Sequence, residues 1–89
     1  ESFENNAFVP KTLTYIKIGG TNIYDNMFFG LENIEQIETT KTVKYIGNNA
    51  FYNCKNLTTL NINGYIEKIG AYILYKCLNL KSFKMGANV

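Results

Sequence analysis

Apolar residues return along this chain in a fixed phase. The block Val43 to Tyr65 and the block Ile66 to Asn88 are each 23 residues long, and six positions are identical between them: Ile46/Ile69, Gly47/Gly70, Tyr52/Tyr75, Cys54/Cys77, Asn56/Asn79 and Leu57/Leu80. Five more exchange one apolar residue for another: Val43/Ile66, Ala50/Ile73, Phe51/Leu74, Leu60/Phe83 and Ile62/Met85. The phase extends upstream, since Ile23, Met27, Phe28, Leu31, Ile34 and Ile37 lie 23 residues before Ile46, Ala50, Phe51, Cys54, Leu57 and Leu60. Phe3, Ala7 and Phe8 lie 20 before Ile23, Met27 and Phe28, with the first unit one residue shorter between Phe8 and Leu13. Self-similarity of this kind is the mark of a repeat architecture, in which each unit buries its apolar face only against its neighbours.

Within each unit the pattern predicts local structure. The runs Leu13-x-x-Ile16-x-Ile18, Ile34-x-x-Ile37-x-Thr39, Leu57-x-x-Leu60-x-Ile62 and Leu80-x-x-Phe83-x-Met85 alternate at their last three positions. Period two predicts a short strand with one buried face. Thr39 stands where Ile62 and Met85 stand, and a weakened apolar contact is expected there. Val43-x-x-Ile46-Gly47 and Ile66-x-x-Ile69-Gly70 mark a second turn of the coil, with Gly permitting a tight corner. The segment Asn49 to Cys54 is too short for a full helix and predicts a 3₁₀ or single α turn closing the rung.

Composition narrows the chemistry. Eighty-nine residues amount to one small domain, which on area scaling buries roughly 64% of its unfolded surface. Hydrophobic residues at 46% and charged residues at 18% exclude a disordered tail. No apolar stretch approaches the roughly 18 residues a membrane span needs, so no membrane insertion is expected. The net charge is +2 and all nine cations are Lys. Without Arg there is no bidentate fork for phosphate or guanine, and no nucleic-acid partner is expected. The absence of His removes the usual general base and the commonest zinc ligand. With no acid pair either, the chain reads as no enzyme, with no cofactor and no metal. Gly19-Gly20-Thr21 lacks the spacing of a phosphate loop and reads as a turn. The chain begins at Glu1 and carries no signal-peptide profile, which reads as a piece of something longer.

The pattern V-x-x-I-G-x-x-A-F-x-x-C-x-x-L-x-x-L-x-I, matched by Val43, Ile46, Gly47, Ala50, Phe51, Cys54, Leu57, Leu60 and Ile62, resembles the BspA-like leucine-rich repeat. The 23-residue period lies inside the 20 to 29 range of leucine-rich repeats. The resemblance is strongest in the third unit, good in the fourth and eroded in the first two. It departs at Tyr65, where a ladder asparagine would stand, so no asparagine ladder is carried over. Residues 1–89 are accordingly expected to be one leucine-rich-repeat solenoid of about four repeats, near 1–19, 20–42, 43–65 and 66–89. The expected fold is an α/β-type repeat solenoid: a right-handed coil with one parallel sheet on the concave face and short 3₁₀ or irregular segments opposite. What the resemblance implies is a cell-surface or secreted solenoid of bacteria and some protozoa, acting in adhesion and protein binding.

On the concave strand face the assignment places Tyr15 and Lys17, Gln36 and Glu38, Thr59 and Asn61, Ser82 and Lys84, one pair per rung. A mixed polar surface of this kind suits a protein partner, of host or extracellular-matrix type, with a glycan as the other candidate; solvation of any strand face is the plainer account. Uncapped end rungs would leave strand edges open to end-to-end self-association. Two other roles stand beside binding: a structural spacer within a larger surface protein, and a regulatory interaction domain of an intracellular enzyme.

Other residues invite chemistry. Cys54 and Cys77 occupy equivalent positions in adjacent rungs, where Cα atoms could meet the disulfide window, although each thiol also reads as small buried fill, as Leu31 does one repeat earlier. Phe3, Phe8, Phe28, Phe51 and Phe83 read as core. Tyr24, Tyr45, Tyr65 and Tyr72 fall between inward positions and are candidates for recognition or for covering neighbouring rungs. Asn56-Leu57-Thr58 matches the glycosylation sequon, with Leu57 expected to be buried.

Overall fold

The structure, a computed structural model, describes residues 12–86. Among these residues seven short strands follow one another: β1 (Tyr15–Ile18), β2 (Asn22–Ile23), β3 (Gln36–Thr39), β4 (Tyr45–Ile46), β5 (Thr59–Asn61), β6 (Lys68–Ile69) and β7 (Ser82–Lys84). Odd-numbered strands form one parallel sheet in the order β1-β3-β5-β7, and even-numbered strands form a second, β2-β4-β6. The chain therefore winds as a β-solenoid of about three turns, every strand pairing with its equivalent one rung away.

Repeat period and pairing register agree. Ile37 pairs with Leu60 and Leu60 with Phe83, while Ile23, Ile46 and Ile69 align in the second sheet. The first rung is tighter: Ile18 pairs with Thr39 and Ile23 with Ile46, so the corner there is two residues shorter than in the next rung. The short link expected between Phe8 and Leu13, and the core roles expected of Phe3 and Phe8, lie outside the described residues.

Two expectations change. The V-x-x-I-G turns are strands of a second sheet, so there is not one sheet but two. Among the described residues there is no helix, and the α/β-type class gives way to an all-β coil. The reason lies in Asn49 to Cys54. Asn49 and Asn53 are left-handed, with φ of 59° and 60°. That conformation turns alternate amides out of their own turn: Asn49, Phe51 and Asn53 donate to the carbonyls of Ala71, Ile73 and Tyr75 at 2.7–3.1 Å, while Tyr52 and Cys54 close single turns onto Asn49 and Phe51. A 3₁₀ segment needs consecutive local bonds, and half of them are spent between rungs.

The left-handed positions also recur with the repeat. Asn26, Asn49 and Tyr72 form one column and Gly30, Asn53 and Lys76 the other. Asn and Gly adopt this conformation at little cost, whereas Lys76 sits there at about 1 kcal/mol. Lys76→Gly is expected to raise stability by about 0.5–1 kcal/mol in urea unfolding, the loss of the ammonium 5.8 Å over the Tyr75 ring being included. Gly30→Ala should cost about 1 kcal/mol, and through the backbone alone, because a Cβ there meets nothing within 4 Å.

Gly47 and Gly70 serve a different need from the corner expected of them. Neither has positive φ; they are where rungs touch. A Cβ on Gly70 would lie 2.5 Å from the Asn48 nitrogen and 2.6 Å from the Gly47 carbonyl carbon.

The core runs through the middle rungs, where Ile37, Val43, Ala50, Phe51, Cys54, Leu57, Leu60 and Ile62 are closed to solvent. Phe28 stacks on Phe51 with centroids 5.8 Å apart. Phe83 departs from its expected core role: it is 43% exposed, because β7 has no described rung beyond it. Thr39 does more than weaken a contact. Fully buried, it accepts the Asn63 amide on its hydroxyl at 2.9 Å, and its carbonyl accepts Asn63 Nδ2 at 2.7 Å, so the polar atom is satisfied.

Candidate interaction face

The outward positions of β1, β3, β5 and β7 fall into two columns. Register places Tyr15, Gln36, Thr59 and Ser82 in the first, and Lys17, Glu38, Asn61 and Lys84 in the second. All eight residues expected on this face are thereby brought together. Parallel in-register pairing is the cause: strand spacing of about 4.8 Å turns one residue per rung into a contiguous row.

The face is organised electrostatically. The Tyr15 hydroxyl donates to Glu38 Oε1 at 2.7 Å, crossing from one column to the other. That hydrogen bond, aided by partial desolvation and the carboxylate charge, holds the Tyr15 phenol above its ordinary range. Along the second column Glu38 lies between Lys17 and Asn61, and Asn61 between Glu38 and Lys84. Asn61 Oδ1 is buried and has no hydrogen-bond partner among the described residues. Such a surface offers donors, acceptors and both signs of charge on a rigid frame. It can form many modest polar contacts. Among the described residues no three His, Cys, Asp or Glu side chains gather as a metal site.

Around the rest of the coil, polar side chains bind rung to rung, which the sequence pattern did not disclose. Asp25 Oδ1 accepts the Asn48 amide at 2.8 Å, and Asn48 Oδ1 accepts the Ala71 amide at 2.8 Å. Asn56 Nδ2 donates to the Glu32 carbonyl and Asn79 Nδ2 to the Lys55 carbonyl, both at 2.7 Å. An asparagine ladder therefore exists, not at Tyr65 but at Asn56 and Asn79. Their identity across the repeat was the available signal. The sequon asparagine, Asn56, is exposed while Leu57 is buried, yet its amide nitrogen is engaged in this ladder. Two ion pairs, Lys44 with Glu67 and Lys55 with Glu32, span 3.8 Å between exposed side chains and add at most about 1 kcal/mol each.

Aromatic residues form a further ladder. Phe29 stacks on Tyr52 at 4.7 Å, Tyr52 meets Tyr75 tilted by 41° at 5.1 Å, and Tyr72 meets Tyr75 edge-on at 5.8 Å. Tyr45, Tyr65 and Tyr72 are exposed and Tyr24 is half-buried. Tyr52 and Tyr75 carry the ladder, and of the four tyrosines singled out by position Tyr72 joins it.

Cys54 is buried and Cys77 half-buried, and both are thiols. Each donates to a carbonyl one rung away, Cys54 Sγ to Phe28 O at 3.1 Å and Cys77 Sγ to Phe51 O at 3.0 Å. The Cys77 thiol beside it, together with burial, pushes the Cys54 thiol far up. The neighbouring Cys54 brings Cys77 down to about 7 against the opposing effect of its own burial. Only one of two neighbouring thiols ionises readily, and it is the one nearer water.

No helix of the described residues is long and apolar enough to cross a membrane. Comparison with protein-family models matches residues 1–89 to the BspA type leucine-rich repeat region, in six copies. No curated protein and no solved structure gives a significant match.

Proposed function

Because the chain belongs to the BspA-type leucine-rich repeat family, we propose that it is a non-catalytic protein-binding and adhesion module of a cell-surface or secreted protein. Leucine-rich repeats are protein-interaction modules, typically non-catalytic, and the BspA type is typically found on surfaces or secreted. The partner is a protein of host or extracellular-matrix type, engaged through Tyr15, Lys17, Gln36, Glu38, Thr59, Asn61, Ser82 and Lys84. Chain 1–89 acts as one solenoid unit of about four repeats.

The observation that supports this reading most is the two-column register of the β1-β3-β5-β7 face. Stacked strands hold these side chains at fixed spacing before any partner arrives, which lowers the ordering cost of association. Mixed Lys17, Glu38 and Lys84 charges favour a partner with a complementary pattern over one of uniform sign.

Charge reversal tests it. The triple variant Lys17→Glu, Glu38→Lys, Lys84→Glu is expected to weaken capture by an extracellular-matrix protein panel at least about tenfold, with an unchanged circular dichroism spectrum. Retained binding would move the interface off this face. A chain that captures no protein of the panel and no immobilised glycan would favour the role of spacer.

A further inference from the structure

We propose that Cys54 and Cys77 form a dithiol modification site, which a low-molecular-weight disulfide of the oxidised-glutathione class converts into a disulfide joining two adjacent rungs. The backbone already holds the positions together. Phe51 donates to Ile73 O at 3.1 Å and Asn53 to Tyr75 O at 2.7 Å, just before the two cysteines. Rungs so paired sit about 4.8 Å apart, inside the roughly 4.4 to 6.8 Å Cα window of a disulfide. Both thiols point alike, each toward a carbonyl one rung away. Leaving those carbonyls costs little, because S–H is a weak donor.

Their surroundings assign the roles. Cys77 is half-buried, next to Leu78, which is 80% exposed, whereas Cys54 is closed to solvent. Cys77 therefore meets the reagent. Its thiolate attacks one sulfur of glutathione disulfide, forming the mixed disulfide and expelling a glutathione thiolate, which takes a proton from water. Cys54 Sγ then attacks Cys77 Sγ and expels the second glutathione thiolate, to which the Cys54 proton passes as the bond forms. The protein dithiol loses two hydrogens as one glutathione disulfide becomes two glutathiones. Cys77 lowered to about 7 favours the first step. The largest influence holding Cys54 up is the neighbouring Cys77 sulfur, and that influence ends once the sulfur is in a mixed disulfide.

The test treats the intact chain with excess oxidised glutathione above neutral pH. The expected product is a monomer lighter by two hydrogens, with a non-reducible peptide link absent and a reducible one joining Cys54 to Cys77. Its melting temperature should rise by about 10 °C, since the bond closes a loop of some two dozen residues in the unfolded chain. Cys54→Ala should instead accumulate a stable glutathione adduct on Cys77. In the unmutated chain Cys77 should alkylate at least about tenfold faster than Cys54. A wild-type chain that keeps both thiols, stops at the glutathione adduct or links between molecules would overturn the proposal, as would faster alkylation of Cys54.

Discussion

Replacing Phe51 with Ala is expected to cost about 4 kcal/mol of unfolding free energy, measured as a lower urea midpoint. Its ring is completely closed to solvent and stacks on Phe28 from the rung before. Its amide bonds forward to Ile73, so the residue is gripped from both sides and the coil cannot easily collapse into the space left. Transfer and cavity contributions then both appear in full. Against a total stability of about 5–15 kcal/mol this loss approaches unfolding. Phe83→Ala makes the contrast. It removes the same number of atoms from a ring 43% exposed on the last described rung, and about 1 kcal/mol is expected. Equal losses at Phe51 and Phe83 would contradict a core concentrated in the middle rungs.

Gly47→Ala adds one methyl and is expected to be about as damaging, with a loss of about 3 kcal/mol or more. The new Cβ would fall 2.5 Å from the Asp25 nitrogen and 2.8 Å from the Tyr24 carbonyl carbon, and would strike Asp25 Oδ1 as well. Two of these obstacles are backbone, so no rotamer change relieves them. The rungs must part, and parting them breaks the Gly47 amide bond to Ile23 O at 2.7 Å and the Asn48 bond to Asp25. Gly19→Ala is the control: a Cβ there meets nothing within 4 Å and its φ is not positive. It should change stability by less than about 0.5 kcal/mol. Thermal melts of the two variants side by side decide whether close approach or corner geometry demands glycine.

What could be read in the sequence was translational. A period that places Leu57 over Leu80 and Ile37 over Leu60 determines which residues become neighbours in a stack, and the pairing of β3, β5 and β7 follows it. The eight polar positions on the β1-β3-β5-β7 face were legible for the same reason, since alternation assigns them outward. Conformation within a rung was less accessible. Asn49-Ala50-Phe51 carries no apolar periodicity that separates a helical turn from a stacked one, and the left-handed Asn49 and Asn53 decide it. Glycine's two uses also look alike in a string of letters: Gly30 is there for positive φ, Gly47 for contact. Phe83 shows a third limit, for a repeat pattern treats every unit as interior and says nothing of a rung with no described neighbour on one side. The side-chain ladders were visible only as unexplained identities, Asn56 with Asn79 and Tyr52 with Tyr75, whose partners are main-chain carbonyls and neighbouring rings.

Each rung bonds only to the rungs beside it, and this governs how the chain would answer a pull along the stacking axis. Traction between the first and last strands would load the inter-rung hydrogen bonds nearly head-on, in series, so the weakest layer yields first. A detached layer liberates about 23 residues, or roughly 80 Å of contour where about 4.8 Å stood before. Tethered between two surfaces, such a coil would lengthen stepwise and absorb work, layer after layer, while the layers still intact kept their exposed rows in place.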